Sequence, residues 1–267
     1  MTAFDRYERD RWTGRAGAYK RSFARLCAYT GDLVLDAAAV RAGTAVLDVG
    51  TGPGTLAALA VVRGAKVAAV DPEPSMVSAA GQLIPEVRTA ALPDLPFDDA
   101  AFDAVVANFV LNHVGEPAAA VRELARVAKP GGRVAVTVWP YPQPPLQRLW
   151  GDALAASGVA APAELPAVDP ANDFARTSEG LAALLAVALE DVRVERVEWT
   201  HRADPEDWWS GPANGVGTFG LILEGLSPSD VARVRAAYDE LATGFLVEGG
   251  LLALPTAALL GSGVRPG

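Results

Sequence analysis

The chain has 267 residues, 51% of them hydrophobic, with a formal charge of −9, two histidines and one cysteine. That length and apolar content suffice for one sizeable buried core, while the negative charge argues against a surface that tracks nucleic-acid phosphates. A single cysteine excludes an internal disulfide or a cysteine-built metal site and agrees with a reducing cytoplasm.

The opening residues, Met1-Thr2-Ala3-Phe4-Asp5-Arg6, lack the apolar stretch of a signal peptide. The longest apolar run, at 181–189, is too short to cross a bilayer, so the expectation is a soluble protein with no membrane partner. Residues 4–23 interleave arginines with Tyr7, Trp12, Tyr19 and Phe23, a pattern that predicts short amphipathic helices packed on the rest of the chain. Residues 32–40 read as an alanine-rich helix leading to the first strand.

Val46-Leu47-Asp48-Val49-Gly50-Thr51-Gly52-Pro53-Gly54 is an apolar run that ends in a glycine-rich turn, with helical spacing resuming at Thr55. The dinucleotide fingerprint G-x-G-x-x-G is not met, because the third glycine comes one residue early and Pro53 removes a backbone donor. No phosphate is implied, and no Gly-Lys-Ser/Thr follows. Asp48 suits a cationic ligand better than a phosphate. The string VLDVGTGPG closely resembles the first motif of the class I methyltransferases that use S-adenosylmethionine. The resemblance implies an α/β fold, a doubly wound Rossmann-like sheet of seven strands with the last antiparallel. It also implies S-adenosylmethionine as cofactor, held by Asp48, Gly50, Thr51 and Gly52. At the N-terminus, Trp12, Arg15 and Tyr19 loosely match a family segment that lies over the cofactor, which makes Tyr19 a contact.

Lys66-Val67-Ala68-Ala69-Val70-Asp71 reads as a second buried strand, at about the 20-residue spacing a βαβ crossover requires. A carboxylate at Asp71 can accept both hydroxyls of a ribose diol, which supports adenosine without choosing between NAD and S-adenosylmethionine. Pro72 and the helix beginning near Pro74 follow, and the resemblance packs Met76 against adenine. A third strand is expected at 87–92. The next residues, Pro93-Asp94-Leu95-Pro96-Phe97, resemble a family loop but depart from it: Ala91 stands where many relatives have an adenine-binding Asp. The Leu92 backbone N–H remains able to reach adenine.

A fourth strand is expected at 101–107, followed by Asn108-Phe109-Val110-Leu111-Asn112-His113, where open α/β sheets place ligands. The resemblance sets Asn108 beside the methionine part of the cofactor and Phe109 beside its methyl. Residues 116–128 predict a helix ended by Lys129-Pro130-Gly131-Gly132, and 133–139 a fifth strand. The resemblance thus runs unbroken from Val46 to Trp139, about a third of the chain.

Beyond Trp139 the prolines at 140, 142, 144, 145, 162, 166 and 170 predict an irregular lid insertion. A helix at 180–190 and a strand at 192–200 resume the sheet. Asp207-Trp208-Trp209, the 215–225 segment and a helix at 231–245 form a second insertion before a final strand around 251–255. The whole reads as one domain: a helical cap at 1–40, a cofactor core at 41–140, and cap segments at 141–177 and 204–247.

Methyl transfer from a sulfonium needs chiefly alignment, but an acceptor that must lose a proton needs a base. His113, on the loop beside the expected methyl position, is the leading catalytic residue; His201 is more suited to the surface. Metal-binding H-E-x-x-H, G-x-S-x-G and paired-cysteine signatures are absent. Tyr141, Trp150, Phe174, Trp208, Trp209 and Phe219 supply aromatic surface for a flat or apolar acceptor, by analogy a secondary metabolite or quinone-like molecule. The competing readings are a cyclase or isomerase that retains fold and cofactor without transferring the methyl, and a nucleotide-sensing module. A homodimer is left open.

Overall fold

The computed structural model describes residues 2–160 and 166–267. Four short helices come first: α1 (Ala3–Trp12), α2 (Ala16–Arg21), α3 (Phe23–Ala28) and α4 (Gly31–Ala37). Thr2 and Asp5 close a reciprocal capping box at the start of α1, satisfying backbone donors that the first helical turn leaves unpaired. The alternating units of the core follow as β1 (Ala45–Val49), α5 (Thr55–Val62), β2 (Lys66–Asp71), α6 (Pro74–Ala80), β3 (Glu86–Thr89) and β4 (Phe102–Asn108). A 3₁₀ turn at Leu111–His113 leads to α7 (Pro117–Val127) and β5 (Ala128–Val138).

The remaining elements are α8 (Pro145–Ser157), α9 (Ser178–Leu185), β6 (Glu190–Ala203), α10 (Pro205–Ala213), α11 (Gly217–Glu224), α12 (Pro228–Ala242), a second 3₁₀ turn at Thr243–Phe245 and β7 (Leu252–Val264). The seven strands form one sheet in the order β3-β2-β1-β4-β5-β7-β6. β1 to β5 pair in parallel, whereas β7 runs antiparallel between β5 and β6, as the sequence resemblance implies. Parallel strands covered on both faces must be apolar throughout, and β1 is buried from Val46 to Val49. The order reverses between β1 and β4, so the loops after these two strands diverge and leave a crevice at their carboxyl ends.

Several expected boundaries move. β3 ends at Thr89, so residues 90–92 belong to the loop. β5 begins at Ala128, and the pairing with β4 skips from Ala128 to Arg133, so the Lys129–Gly132 turn bulges out of a strand that it was expected to precede. The largest correction is α8, in the stretch read as an irregular lid. Pro144 caps it, Pro145 occupies its first turn, and Gly158 ends it at φ 66°. These prolines start a helix, because the first turn has no use for their missing N–H groups. Pro162 lies outside the described residues. The final strand is also longer than expected, because β7 pairs along most of β6.

Two cores result. One lies between the sheet and α7 and α9, around Leu47, Val105, Leu124 and Leu181. The other joins α8, α10, α11 and α12 to the outer part of β7 and includes Trp150, Trp208, Trp209 and Tyr238. Trp150 stacks on Trp208 at 5.6 Å and on Tyr238 at 5.1 Å between centroids. No helix among the described residues is long and apolar enough to cross a membrane.

Candidate functional site

A cavity of about 1280 Å³ opens at the carboxyl ends of β1, β2 and β4 and extends beneath α1, α8 and α11. Tyr19, Gly50, Gly52, Asp71, Pro72, Met76, Ala91, Leu92, Asn108, Phe109 and His113 all line it. Asp48 and Thr51, expected in the same group, are among those lining only a small void of about 40 Å³ beneath the turn. The Asp48 carboxylate accepts the Thr51 hydroxyl at 2.7 Å, and burial pushes its pKa up to about 7. Asp48 therefore braces the turn from below instead of facing a ligand, because β1 points its side chain under the turn.

The turn itself follows from its glycines. Gly50, Gly52 and Gly54 have φ of +66°, +55° and +88°, a region costly for any residue with a Cβ. A Cβ at Gly52 would lie 3.8 Å from Tyr19 Cε1, in the gap between turn and tyrosine, whereas one at Gly50 would meet Val110 Cγ2 at 2.5 Å. Gly52 thus keeps the gap to Tyr19 open, and Gly50 lets the loop after β4 pack against the turn.

Asp71, at the end of β2, is 7% exposed. One oxygen accepts the Gly52 N–H and the other the Glu73 N–H, both at 2.9 Å. Burial pushes its pKa up to about 6 although those two donors favour the ionised form. Each oxygen keeps a second lone pair, so a vicinal diol still finds two acceptors. The turn beyond β3 places Ala91 and Leu92 in the wall together with Asp94, whose backbone N–H donates to Ala91 O at 3.0 Å. A carboxylate is therefore present on this wall, three residues after the position where the resemblance expects one.

Asn108 lines the cavity, but its polar atoms are spent inward. Its Oδ1 accepts Thr30 Oγ1 at 2.8 Å and Thr137 Oγ1 at 2.6 Å, while Nδ2 donates to Cys27 O at 2.9 Å. It ties α3, β4 and β5 together below the site. Phe109 follows at φ 60°, a strained conformation for a phenylalanine, and stacks on Trp139 at 3.8 Å. Its N–H donates to Thr137 Oγ1, which holds the chain in that bend. Tyr19 hydrogen-bonds the buried Cys27; burial raises the tyrosine's pKa and pushes the thiol up to about 12.

His113 ends the 3₁₀ turn, with Nδ1 at 2.8 Å from Glu8 Oε2 and its ring edge-on to Trp12 at 5.5 Å. Glu8 is 5% exposed; it also accepts Arg11 Nη1 at 2.9 Å and Trp12 Nε1 at 3.2 Å. Burial would raise the Glu8 carboxyl, but His113 and Arg11 outweigh it and hold the group below the usual carboxylate range. Arg11 also donates to Thr218 of α11, and Asp5 accepts the Gly115 N–H at 2.7 Å. α1 is clamped over the loop that carries His113. Glu8 was not expected from the sequence, where it is one acid among arginines; its spacing of three and four from Arg11 and Trp12 was the available signal.

Of the aromatics expected around an acceptor, Tyr141, Trp150, Phe174 and Phe219 line the cavity. Trp208 and Trp209 are instead buried in the second core. His201 is neither at the cavity nor at the surface: it is 8% exposed, 5.3 Å from Trp208, and burial lowers its pKa.

A family profile described as a methyltransferase domain matches residues 47–136. A demethylmenaquinone methyltransferase of Clavibacter sepedonicus is 41% identical over 112 residues, covering 40% of this chain and 46% of that protein. An uncharacterised methyltransferase of Mycobacterium bovis is 40% identical over 127 residues, covering 46% of this chain and 49% of that protein. The chain spans about half the length of the curated relatives it matches. Among solved structures, the YcgJ protein of Bacillus subtilis superposes with a TM-score of 0.55 at 23% identity, covering 90% of this chain and 99% of that one. The [4+2]-cyclase SpnF does so with a TM-score of 0.52 at 20% identity, covering 90% and 80%. The matched domain begins at Leu47 in β1 and ends at Val136 in β5, the segment that builds the glycine turn and the crevice. By the domain matched at residues 47–136 and by its sheet, the chain is similar to the class I S-adenosylmethionine-dependent methyltransferases.

Proposed function

We propose that this protein transfers a methyl group from S-adenosylmethionine to a small, largely apolar acceptor of quinone or secondary-metabolite type. The observation that carries the reading is the cavity. At about 1280 Å³ it exceeds the roughly 300–1,000 Å³ typical of a single-ligand pocket, and it runs from the glycine turn to a wall of aromatic side chains. That size suits a cofactor and an acceptor side by side. The curated relatives named demethylmenaquinone methyltransferases support a quinone-like acceptor.

The cofactor half fits the residues present. Asp71 has two lone pairs for a ribose diol, Gly52 leaves a gap facing Tyr19, and Pro72, Met76, Ala91, Leu92 and Asp94 form an apolar slot with one carboxylate for adenine. Gly50 shapes the turn, with Asp48 and Thr51 bracing it. When bound, S-adenosylmethionine supplies an electrophilic methyl on a positively charged sulfur. Phe109 and Trp139 wall the methyl's surroundings and exclude water, while Asn108 fixes the bend that presents them. His113 receives the acceptor's proton. The chain works as one catalytic domain, in which 1–40, 141–177 and 204–247 enclose the 41–140 core. Its lone buried thiol agrees with a cytoplasmic setting.

The test is incubation with S-adenosylmethionine labelled at its methyl and reduced demethylmenaquinone or related quinols. Label in the quinol supports the reading. A product of unchanged mass would overturn it in favour of a cyclase or isomerase. His113→Ala should lower kcat about a hundredfold or more and leave cofactor affinity within a few-fold of wild type; equal turnover of the two proteins would remove the histidine from the chemistry.

A further inference from the structure

The corner of the cavity where α1 meets the loop after β4 carries more polar machinery than alignment of a methyl donor requires. An ionised carboxylate only accepts hydrogen bonds, so the proton in the 2.8 Å contact between Glu8 and His113 sits on Nδ1. In the neutral ring that leaves Nε2 as the acceptor. Glu8 is suited to this duty because Arg11 and Trp12 also donate to it, which keeps it charged although buried. The ring's tautomer and its orientation are thus set by a residue 105 positions away in sequence.

Beside this pair, in sequence as in the cavity wall, stand Tyr7 and Asn112. The Tyr7 hydroxyl and the Asn112 side-chain nitrogen are buried without a hydrogen-bond partner. Arg11 and Trp150, also on this wall, carry one such atom each, and all four atoms lie beneath the cavity surface, so the Glu8–His113 pair is the polar group that meets a ligand here. We propose that Glu8 and His113 form a carboxylate–imidazole pair that takes the proton of a phenol or enol acceptor. The proposal rests on the methyl-transfer reading and adds to it the acceptor's chemical class and the role of Glu8.

The step balances. The acceptor's O–H proton passes to His113 Nε2, and the resulting imidazolium faces the Glu8 carboxylate. The electron density left on the acceptor, at oxygen or at the enol carbon, forms the bond to the methyl carbon of the sulfonium donor. The carbon–sulfur pair remains on sulfur as a neutral thioether. Glu8 acts only through the ring and is a positioning residue; an amine reacting as its free base would have no use for it.

Nitrogen-15 spectra of the two histidine rings read the tautomer without turnover. The wild type is expected to carry the His113 proton on Nδ1. In Glu8→Ala the Nδ1 proton loses its acceptor and moves largely to Nε2, which removes the base, so kcat should fall about a hundredfold with the S-adenosylmethionine KM unchanged. Asp5→Ala loosens α1 at Gly115 without touching the ring and should leave the tautomer intact. An unchanged tautomer in Glu8→Ala, or the same tautomer change and kcat loss in Asp5→Ala, overturns the pair. Phenolic or enolic compounds are expected to be methylated and amines not; methylation of amines alone overturns the acceptor class. Calorimetry with S-adenosylmethionine is read separately: no binding strikes the methyl-transfer reading and with it the acceptor class, while the tautomer spectra still decide the pair.

Discussion

Replacing Gly50 by alanine probes the joint on which the cavity depends. Gly50 has φ +66°, where an alanine costs about 1–2 kcal/mol. Its new Cβ would sit 2.5 Å from Val110 Cγ2 and 3.2 Å from Cγ1, so Val110 must be displaced. Valine is stiff about χ1, and forcing such a contact adds about 1–3 kcal/mol, for a total loss of roughly 2–5 kcal/mol. Val110 lies two residues before Asn112 and three before His113, so its displacement should also lower cofactor affinity. A double-mutant cycle separates the two costs. Val110→Ala removes both Cγ atoms, so the double variant should be about 1–3 kcal/mol less destabilised than the sum of the singles. Urea unfolding at matched pH measures the stabilities, and calorimetry with S-adenosylmethionine the affinity. Single effects that add within about 0.5 kcal/mol would show that Val110 does not fill the space at Gly50, and the account of this joint would fall.

Asp71→Asn should weaken S-adenosylmethionine binding about 10- to 100-fold, since one accepting oxygen becomes a donor and a hydrogen bond to a charged group is worth about 1.5–3 kcal/mol. Wild-type affinity should fall as pH drops through about 6, where Asp71 gains its proton, and the variant's affinity should be flat across that range; calorimetry from pH 5 to 8 compares them. Asp48 binds its proton more tightly folded, at about 7, than unfolded, near 3.8, so its contribution to stability falls as pH rises from about 4 to about 7 and stays low above. Asp48→Asn should remove that slope and raise stability at pH 8, by up to roughly 4 kcal/mol if the whole shift is relieved; a denaturation midpoint at pH 8 below that of wild type would refute the sign. Trp208→Ala should cost about 3–5 kcal/mol, because the indole is 1% exposed between Phe23, Trp150 and His201, and urea denaturation will read it.

The sequence by itself determined the parts whose physics is local. Three glycines close together can only be a turn of positive φ, an apolar run before them can only be a covered strand, and Asp71 one crossover later must reach the same end of the sheet. The seven-stranded sheet and its antiparallel last strand came through the same motifs, by likeness to a family, whereas the order of the strands came from the structure. Proline misled where its context was not weighed: the run from Pro140 to Pro145 suggests a loop, yet Pro145 and Gly158 bracket α8 as helix ends do. Only the tertiary structure decided which polar groups were free to act. Asn108 looked available but spends its amide on Thr30, Thr137 and Cys27, and Asp48 turns under the loop it was expected to face. Trp208 and Trp209 cannot be told from cavity-lining aromatics by spacing, because a buried indole and a ligand-facing one make the same apolar pattern. Glu8 is the sharpest case: its meeting with His113 is made by folding α1 back over the sheet, and a contact between segments so far apart leaves no periodicity for a sequence to display.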